Sequence, residues 1–244
     1  MFKAIFFDLG STLIYFDTSW ETILQQANLA LGVQLKEAGV GIDPTQLAVD
    51  FNWRMQKYYA QRSSDYVEHT TEFVLNEMLG SYGLPEIKPE WARIGLDAFY
   101  QTFQNHWQVE PDAISTLERL LGVGYRLGLI SNAGDAADVQ TLIDKTGLRP
   151  FFDRIWISAN VGVRKPHPRI FEIAMDSLHC SPKEALMIGD TLNADILGAA
   201  NVGMSSIWIT RRADMLENNP YKLSIVPDEV ITTLDELPLL LANW

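Results

Sequence analysis

Between residues 125 and 209 the chain alternates short apolar runs with helical patterns, and no other feature constrains its fold as strongly. Residues 125–130, 154–158, 185–188 and 205–209 read as strands. Residues 111–121, 135–145, 167–178 and 192–201 read as helices, with Gly147 and Gly203 just beyond the second and fourth. The strand runs are continuously apolar rather than alternating. That marks strands buried on both faces, as in parallel sheets. Strand–helix alternation at this spacing is the pattern of βαβ units.

Residues 3–8 form one more buried run, Ala4-Ile5-Phe6-Phe7 closed by Asp8, before a Gly10-Ser11 turn. A helical block from about 18 to 107 then separates this strand from its sheet partners. Asp17-Thr18-Ser19 offers N-caps, with Glu21 three residues after Thr18 as in a capping box, and Asp43-Pro44 opens a second helix. Two further helices are expected over 66–80 and 89–107, separated by Ser81-Tyr82-Gly83-Leu84-Pro85, and no strand is expected in the block. The predicted fold is α/β: a doubly wound, Rossmann-like parallel sheet with an inserted all-helical cap. The core takes residues 1–15 and 108–244 and the cap 16–107. Residues 224–226 suggest a last short strand and 229–241 a covering helix.

A length of 244 residues and 47% hydrophobic content suit a domain with a second one inserted. The net charge of -12, with no Lys/Arg run, argues against nucleic acid and anionic membranes as partners. Cys180 is the only cysteine, so no internal disulfide forms, which fits a reducing, cytoplasmic location. It reads as a partly buried small residue, not a nucleophile. The apolar N-terminal run is interrupted at Asp8 and is too short for a leader or a membrane span. Either a monomer or a homodimer is compatible with this composition.

Ligand sites in open α/β sheets form at the carboxyl ends of strands. Asp8, Ser131 and Asp190 each stand at such an end. Singly, each has a structural explanation: a turn cap, a loop polar residue or a helix N-cap. Jointly, with Lys165, they suit phosphoryl chemistry. A carboxylate such as Asp8 can attack phosphorus as a covalent nucleophile. Asp8 and Asp190 offer the oxygen ligands that Mg²⁺ prefers, and the Gly10 carbonyl is a candidate third ligand. Asp195 is placed to orient that loop from behind. Lys165, Thr12, Ser131 and the amide of Asn132 can contact phosphoryl oxygens.

These segments and their order closely resemble the haloacid dehalogenase-like (HAD) hydrolase superfamily. The resemblance covers about 1–15 and 108–210 and agrees with a helical cap inserted after the first motif. Asp8 and Thr12 match its first motif, Asp-x-Asp-x-Thr, Ser131 the second, Lys165 the third, and Asp190 and Asp195 the fourth. It implies that Asp8 is the nucleophile of a phosphatase-type hydrolase, usually Mg²⁺-dependent, acting on a small phosphorylated substrate. The departure is Gly10, which stands where phosphatase members carry the second Asp, the acid and base of the reaction. Its loss predicts weakened turnover, with preference for good leaving groups. The family's 2-haloacid dehalogenases also lack that Asp, since halide leaves unprotonated, but they do not usually keep the fourth motif seen here. Phosphonatases of the family use a cap lysine, for which Lys36 and Lys57 are candidates without a recognisable context. A catalytically weak binding or regulatory protein is the third reading.

Asp17, Asp65 and Glu68 are candidate replacement acids in the cap. The cap aromatics Trp53, Tyr58, Tyr59, Trp91, Phe99, Tyr100, Phe103 and Trp107 read mainly as its own core. Arg54, Arg62 and Arg93 read as a solvated face. The four histidines lack metal-ligand spacing, and His167 is explained by its turn.

Overall fold

A computed structural model describes residues 2–84 and 89–244 of the chain. Its centre is a six-stranded parallel sheet built from β1 (Ala4–Phe7), β4 (Arg126–Ser131), β5 (Arg154–Ile157), β6 (Ala185–Gly189), β7 (Ser205–Ile209) and β8 (Glu229–Ile231). The strand order is β5-β4-β1-β6-β7-β8. Every residue of β1 and β6 is buried, as their unbroken apolar sequence requires. The helices α5 (Ala113–Val123), α6 (Ala136–Lys145), α7 (Ser158–Val161), α8 (Pro168–Ser177), α9 (Gly198–Val202) and α10 (Leu237–Ala242) make the crossovers and the C-terminus. Phe6, Ile130 and Met187 pack with Phe171 and Met175 of α8 in one core cluster.

The inserted region is helical: α1 (Trp20–Glu37), α2 (Pro44–Asp65), α3 (Thr71–Ser81) and α4 (Pro89–Gln104). It has its own core, centred on Leu31, Leu35, Leu47, Phe51, Leu75, Met78 and Phe99. The chain divides into two compact units. One comprises 1–15, 108–133 and 143–244, the other 16–107 and 134–142.

Local chemistry explains most boundaries. Asp43 caps α2 through Thr45 and Gln46 amides, and Pro44 takes the first helical position. Other boundaries correct the sequence reading. Of the caps offered by Asp17-Thr18-Ser19, Ser19 is the N-cap of α1, but its hydroxyl donates to Glu21 instead of capping, and the capping box of Thr18 with Glu21 does not form. Residues 66–70 are not helical: Tyr66 is left-handed and ends α2, and Thr70 caps α3. The helix expected to reach residue 107 stops at Gln104. Trp107–Val109 is a strand, β3, paired with β2 (Ile14–Phe16) in a two-stranded sheet. A three-residue strand gives no periodicity to read, which is why both were missed. Pro85 of the expected 81–85 break lies outside the described residues.

Residues 224–226 are not a strand. The last strand begins after Pro227, which has no N–H to give a ladder, and Asp228 anchors it through the Ser206 amide at 2.7 Å. The helix expected over 229–241 is therefore confined to Leu237–Ala242. The helix expected over 192–201 begins with a π-helical turn, Leu192–Leu197, and only then becomes α9. Among the described residues, no helix is long and apolar enough to cross a membrane.

Candidate active site

Strand register sets the frame. Phe7 is level with Leu129 on one side and Ile188 on the other. Asp8 is therefore level with Ile130 and Gly189, and Ser131 and Asp190 lie one residue further on. Three adjacent strands thus deliver three polar residues to one edge of the sheet. Beyond Asp8 the chain turns tightly. Ser11 is left-handed, and the Leu13 and Ile14 amides both donate to the Leu9 carbonyl. This turn buries Thr12 completely, with its hydroxyl 3.5 Å from Asp190 Oδ1.

Lys165 enters this edge from a loop 157 residues beyond Asp8. Its Nζ donates to Asp8 Oδ1 at 2.6 Å, to Asp195 Oδ1 at 2.6 Å and to the Ile130 carbonyl at 2.7 Å. An ammonium has three protons, and all three are engaged. Asn132 holds the lysine's backbone: its Oδ1 accepts from Lys165 N at 2.8 Å and its Nδ2 donates to Lys165 O at 3.0 Å. The Asn132 side chain is thereby committed to positioning Lys165. The Ser131 hydroxyl has no hydrogen-bond partner among the described residues.

Asp195 uses its second oxygen to accept from Thr191 N at 3.0 Å. Gly189 makes this approach feasible, because a Cβ there would lie 2.3 Å from the Asp195 carboxylate. Asp8, Asp190 and Asp195 together place carboxylate oxygens within 4.8 Å of one another, all on buried residues. Of the groups joined at Lys165, the Asp8 side chain keeps 13% of its surface exposed, against 1% for Lys165 and for Asp195. Asp8 is therefore the one a ligand can reach.

Three carboxylates face a single lysine, and the electrostatics show the excess. Burial pushes the Asp190 carboxyl well above the usual range, and repulsion from Asp8 and Asp195 adds to it. Burial also raises Asp195, against the pull of Lys165. Burial opposes the Lys165 charge, but Asp195 and Asp8 outweigh it and hold its pKa above that of an ordinary lysine. A hard divalent cation among these oxygens would relieve the repulsion, so the donor set fits one.

Two further residues support the site without a sequence signal. Asn218 and Trp208 both donate to the Asp190 carbonyl, at 2.9 and 2.8 Å. In sequence Asn218 belongs to Asn218-Asn219-Pro220, which reads as an ordinary turn.

The candidate acids of the insert are each engaged within the helical unit. Asp17 faces the His106 ring at 3.1 Å, Asp65 accepts from Val67 N, and Glu68 accepts from Tyr58 at 2.6 Å. Lys57 is exposed and lies over the Trp53 ring. Arg54 donates to Ser81, Arg62 lies over Tyr59, and Arg93 pairs with Asp135 and Asp97. Tyr58, Phe99 and Phe103 are buried in the insert's core, and Trp91, Tyr100 and Trp107 pack against it, whereas Trp53 and Tyr59 are exposed. His167 caps α8 by accepting from Arg169 N, as its turn position suggested.

A family model described as haloacid dehalogenase-like hydrolase matches residues 2–203. The chain is 32% identical to a glyceraldehyde 3-phosphate phosphatase of Methanothermobacter thermautotrophicus, over 97% of this chain and 100% of that protein. It is 31% identical to the pyrimidine 5'-nucleotidase YjjG of Escherichia coli, over 98% and 97% respectively. Among solved structures, a 2-haloacid dehalogenase from Pseudomonas syringae is similar with a TM-score of 0.71 and 25% identity, over 100% of both chains.

Proposed function

Because the chain belongs to the haloacid dehalogenase-like hydrolases, we propose that it is a phosphatase acting on a small phosphorylated metabolite through an aspartyl-phosphate on Asp8. The observation that carries this reading is the buried cluster in which Lys165 holds Asp8 while Asp190 and Asp195 add two more carboxylates beside it. Relatives named for the hydrolysis of glyceraldehyde 3-phosphate and of pyrimidine 5'-nucleotides support a small phosphate ester as substrate.

A carboxylate oxygen of Asp8 attacks phosphorus, and the bond to the leaving oxygen breaks. Lys165 orients that carboxylate. The Ser131 hydroxyl and the Asn132 backbone amide hold phosphoryl oxygens; Thr12, which the sequence placed with them, is fully buried with its hydroxyl toward Asp190 and supports the site from within. Asp8, Asp190 and the Gly10 carbonyl would hold Mg²⁺, with Asp195 behind them; when bound, the ion offsets the repulsion between carboxylate and phosphoryl oxygens. Water then attacks the phosphorus of the aspartyl-phosphate, releasing phosphate and restoring Asp8.

Gly10 offers no proton to the leaving group and no base to the water. A missing general acid costs typically about 10²–10⁴-fold. Acyl and aryl phosphates, whose leaving groups need little help, are therefore the best substrates. The same glycine, with the likeness to a 2-haloacid dehalogenase, favours one second reading: halide displacement by Asp8.

The test is hydrolysis of p-nitrophenyl phosphate and acetyl phosphate with Mg²⁺ or EDTA, beside an Asp8→Asn control. Turnover that needs both Mg²⁺ and Asp8 supports the phosphatase. Halide release from a 2-haloacid in EDTA, with no phosphate release, replaces it with the dehalogenase.

A further inference from the structure

We propose that Asn218 is a positioning residue for the Asp190 carboxylate, which it orients for metal binding by pinning the backbone on both sides of Thr191. This role rests on the metal-dependent reading above.

The Asn218 side chain is fully buried and its amide is spent on the backbone. Its Nδ2 donates to the Asp190 carbonyl at 2.9 Å and to the Ala213 carbonyl at 2.9 Å, while its Oδ1 accepts from Leu192 N at 2.8 Å. Trp208 Nε1 donates a second bond to the Asp190 carbonyl. Asp195 accepts from Thr191 N. Residues 190 and 191 lie between β6 and the π-helical turn, and Leu192 is the first residue of that turn, so a strand or helix ladder supplies none of these bonds. Asn218, Trp208 and Asp195 together hold this segment.

Asp8 and Asp195 bring carboxylate oxygens within 4.8 Å of that of Asp190, so the backbone that carries Asp190 has to be fixed for all three to face one point. Asparagine suits the task because one side chain offers two donors and an acceptor. An apolar residue of similar size would leave the buried Leu192 amide without a partner and strip one of two donors from each of the Asp190 and Ala213 carbonyls, which keep Trp208 Nε1 and Met215 N. Groups that orient a metal ligand from behind typically change metal affinity or activity by about 10–100-fold.

The experiment is calorimetric titration of Mg²⁺ into the full chain, with hydrogen exchange of the Leu192 amide. Asn218→Asp keeps the size and the acceptor for Leu192, but turns an oxygen toward the Asp190 and Ala213 carbonyls. Trp208→Phe removes a single donor. Asn28→Ala removes a buried amide in the helical unit and serves as the control for stability alone. Asn218→Asp should weaken Mg²⁺ binding by about 10–100-fold and speed exchange at Leu192. Trp208→Phe should weaken it by about fivefold. Asn28→Ala should lower Tm and leave Kd unchanged.

A folded Asn218→Asp protein with wild-type Kd overturns the proposal. If that variant fails to fold, wild-type Kd in Trp208→Phe overturns it. Absence of Mg²⁺ binding by the wild type, by contrast, overturns the metal reading itself, and the positioning role falls with it.

Discussion

Lys165 Nζ lies 2.6 Å from Asp8 Oδ1, a bond that joins residues 157 positions apart in the chain. With Asp195 and the Ile130 carbonyl taking its other protons, the lysine is saturated before any ligand arrives. It fixes which face of the Asp8 carboxylate stays open. Among the described residues it is also the cation that pairs with this cluster of three carboxylates.

Replacing Lys165 with Met should cost more than turnover. Removing one partner of a buried ion pair typically costs about 3–5 kcal/mol, because the remaining charge stays uncompensated. The expected result is a folded but much less stable protein with no phosphatase activity. Urea unfolding beside a p-nitrophenyl phosphate assay checks both parts.

Gly10→Asp should raise turnover on alkyl phosphates by up to about 10²–10⁴-fold, and much less on acetyl phosphate. The backbone permits the change, since Gly10 is not among the glycines held at positive φ. Steady-state kinetics on the two substrate types measures the difference. An equal gain on both would show that the new carboxylate does not act on the leaving group.

Gly189→Ala should displace the Asp195 carboxylate, which a Cβ would meet at 2.3 Å. Overpacking of this kind typically costs about 1–3 kcal/mol. Because Asp195 ties Lys165 to Thr191, turnover should fall together with Tm. Thermal melts and activity on the same sample check the coupling.

Glu184, beside Lys3 and the Ser181 amide, has its carboxyl pulled down from 4.5 to about 2, mainly by the Lys3 contact. A depressed carboxylate contributes stability that is fully present above its unfolded pKa and is lost as pH falls through the folded one. The window is therefore between pH 4.5 and about 2. Carboxyl-carbon NMR should show Glu184 titrating near the lower value, and Glu184→Gln should flatten the acid limb of the stability curve in that window.

Some of this was legible locally. Apolar runs marked the core strands of the sheet, Asp43-Pro44 marked a helix start, and the polar residues at the carboxyl ends of β1, β4 and β6 marked the edge where chemistry can occur. The β2–β3 pair was not legible, because three-residue strands carry no period. Nor was the π-helical turn, since Leu192–Leu197 has an ordinary helical composition and differs only in which carbonyls its amides reach.

The sequence by itself determined that strands and helices alternate, that Asp8 closes a buried strand and that position 10 has no side chain to offer. Those properties depend on residue type and short-range pattern, which burial and backbone chemistry read directly. Only the tertiary structure decided that Lys165 spends its protons on Asp8, Asp195 and Ile130, that Asn132 serves Lys165, and that Asn218 braces Asp190. These contacts span 28 to 157 residues. They exist because crossovers set β4, β1 and β6 side by side in one register, and no local pattern encodes which loops then meet at their ends.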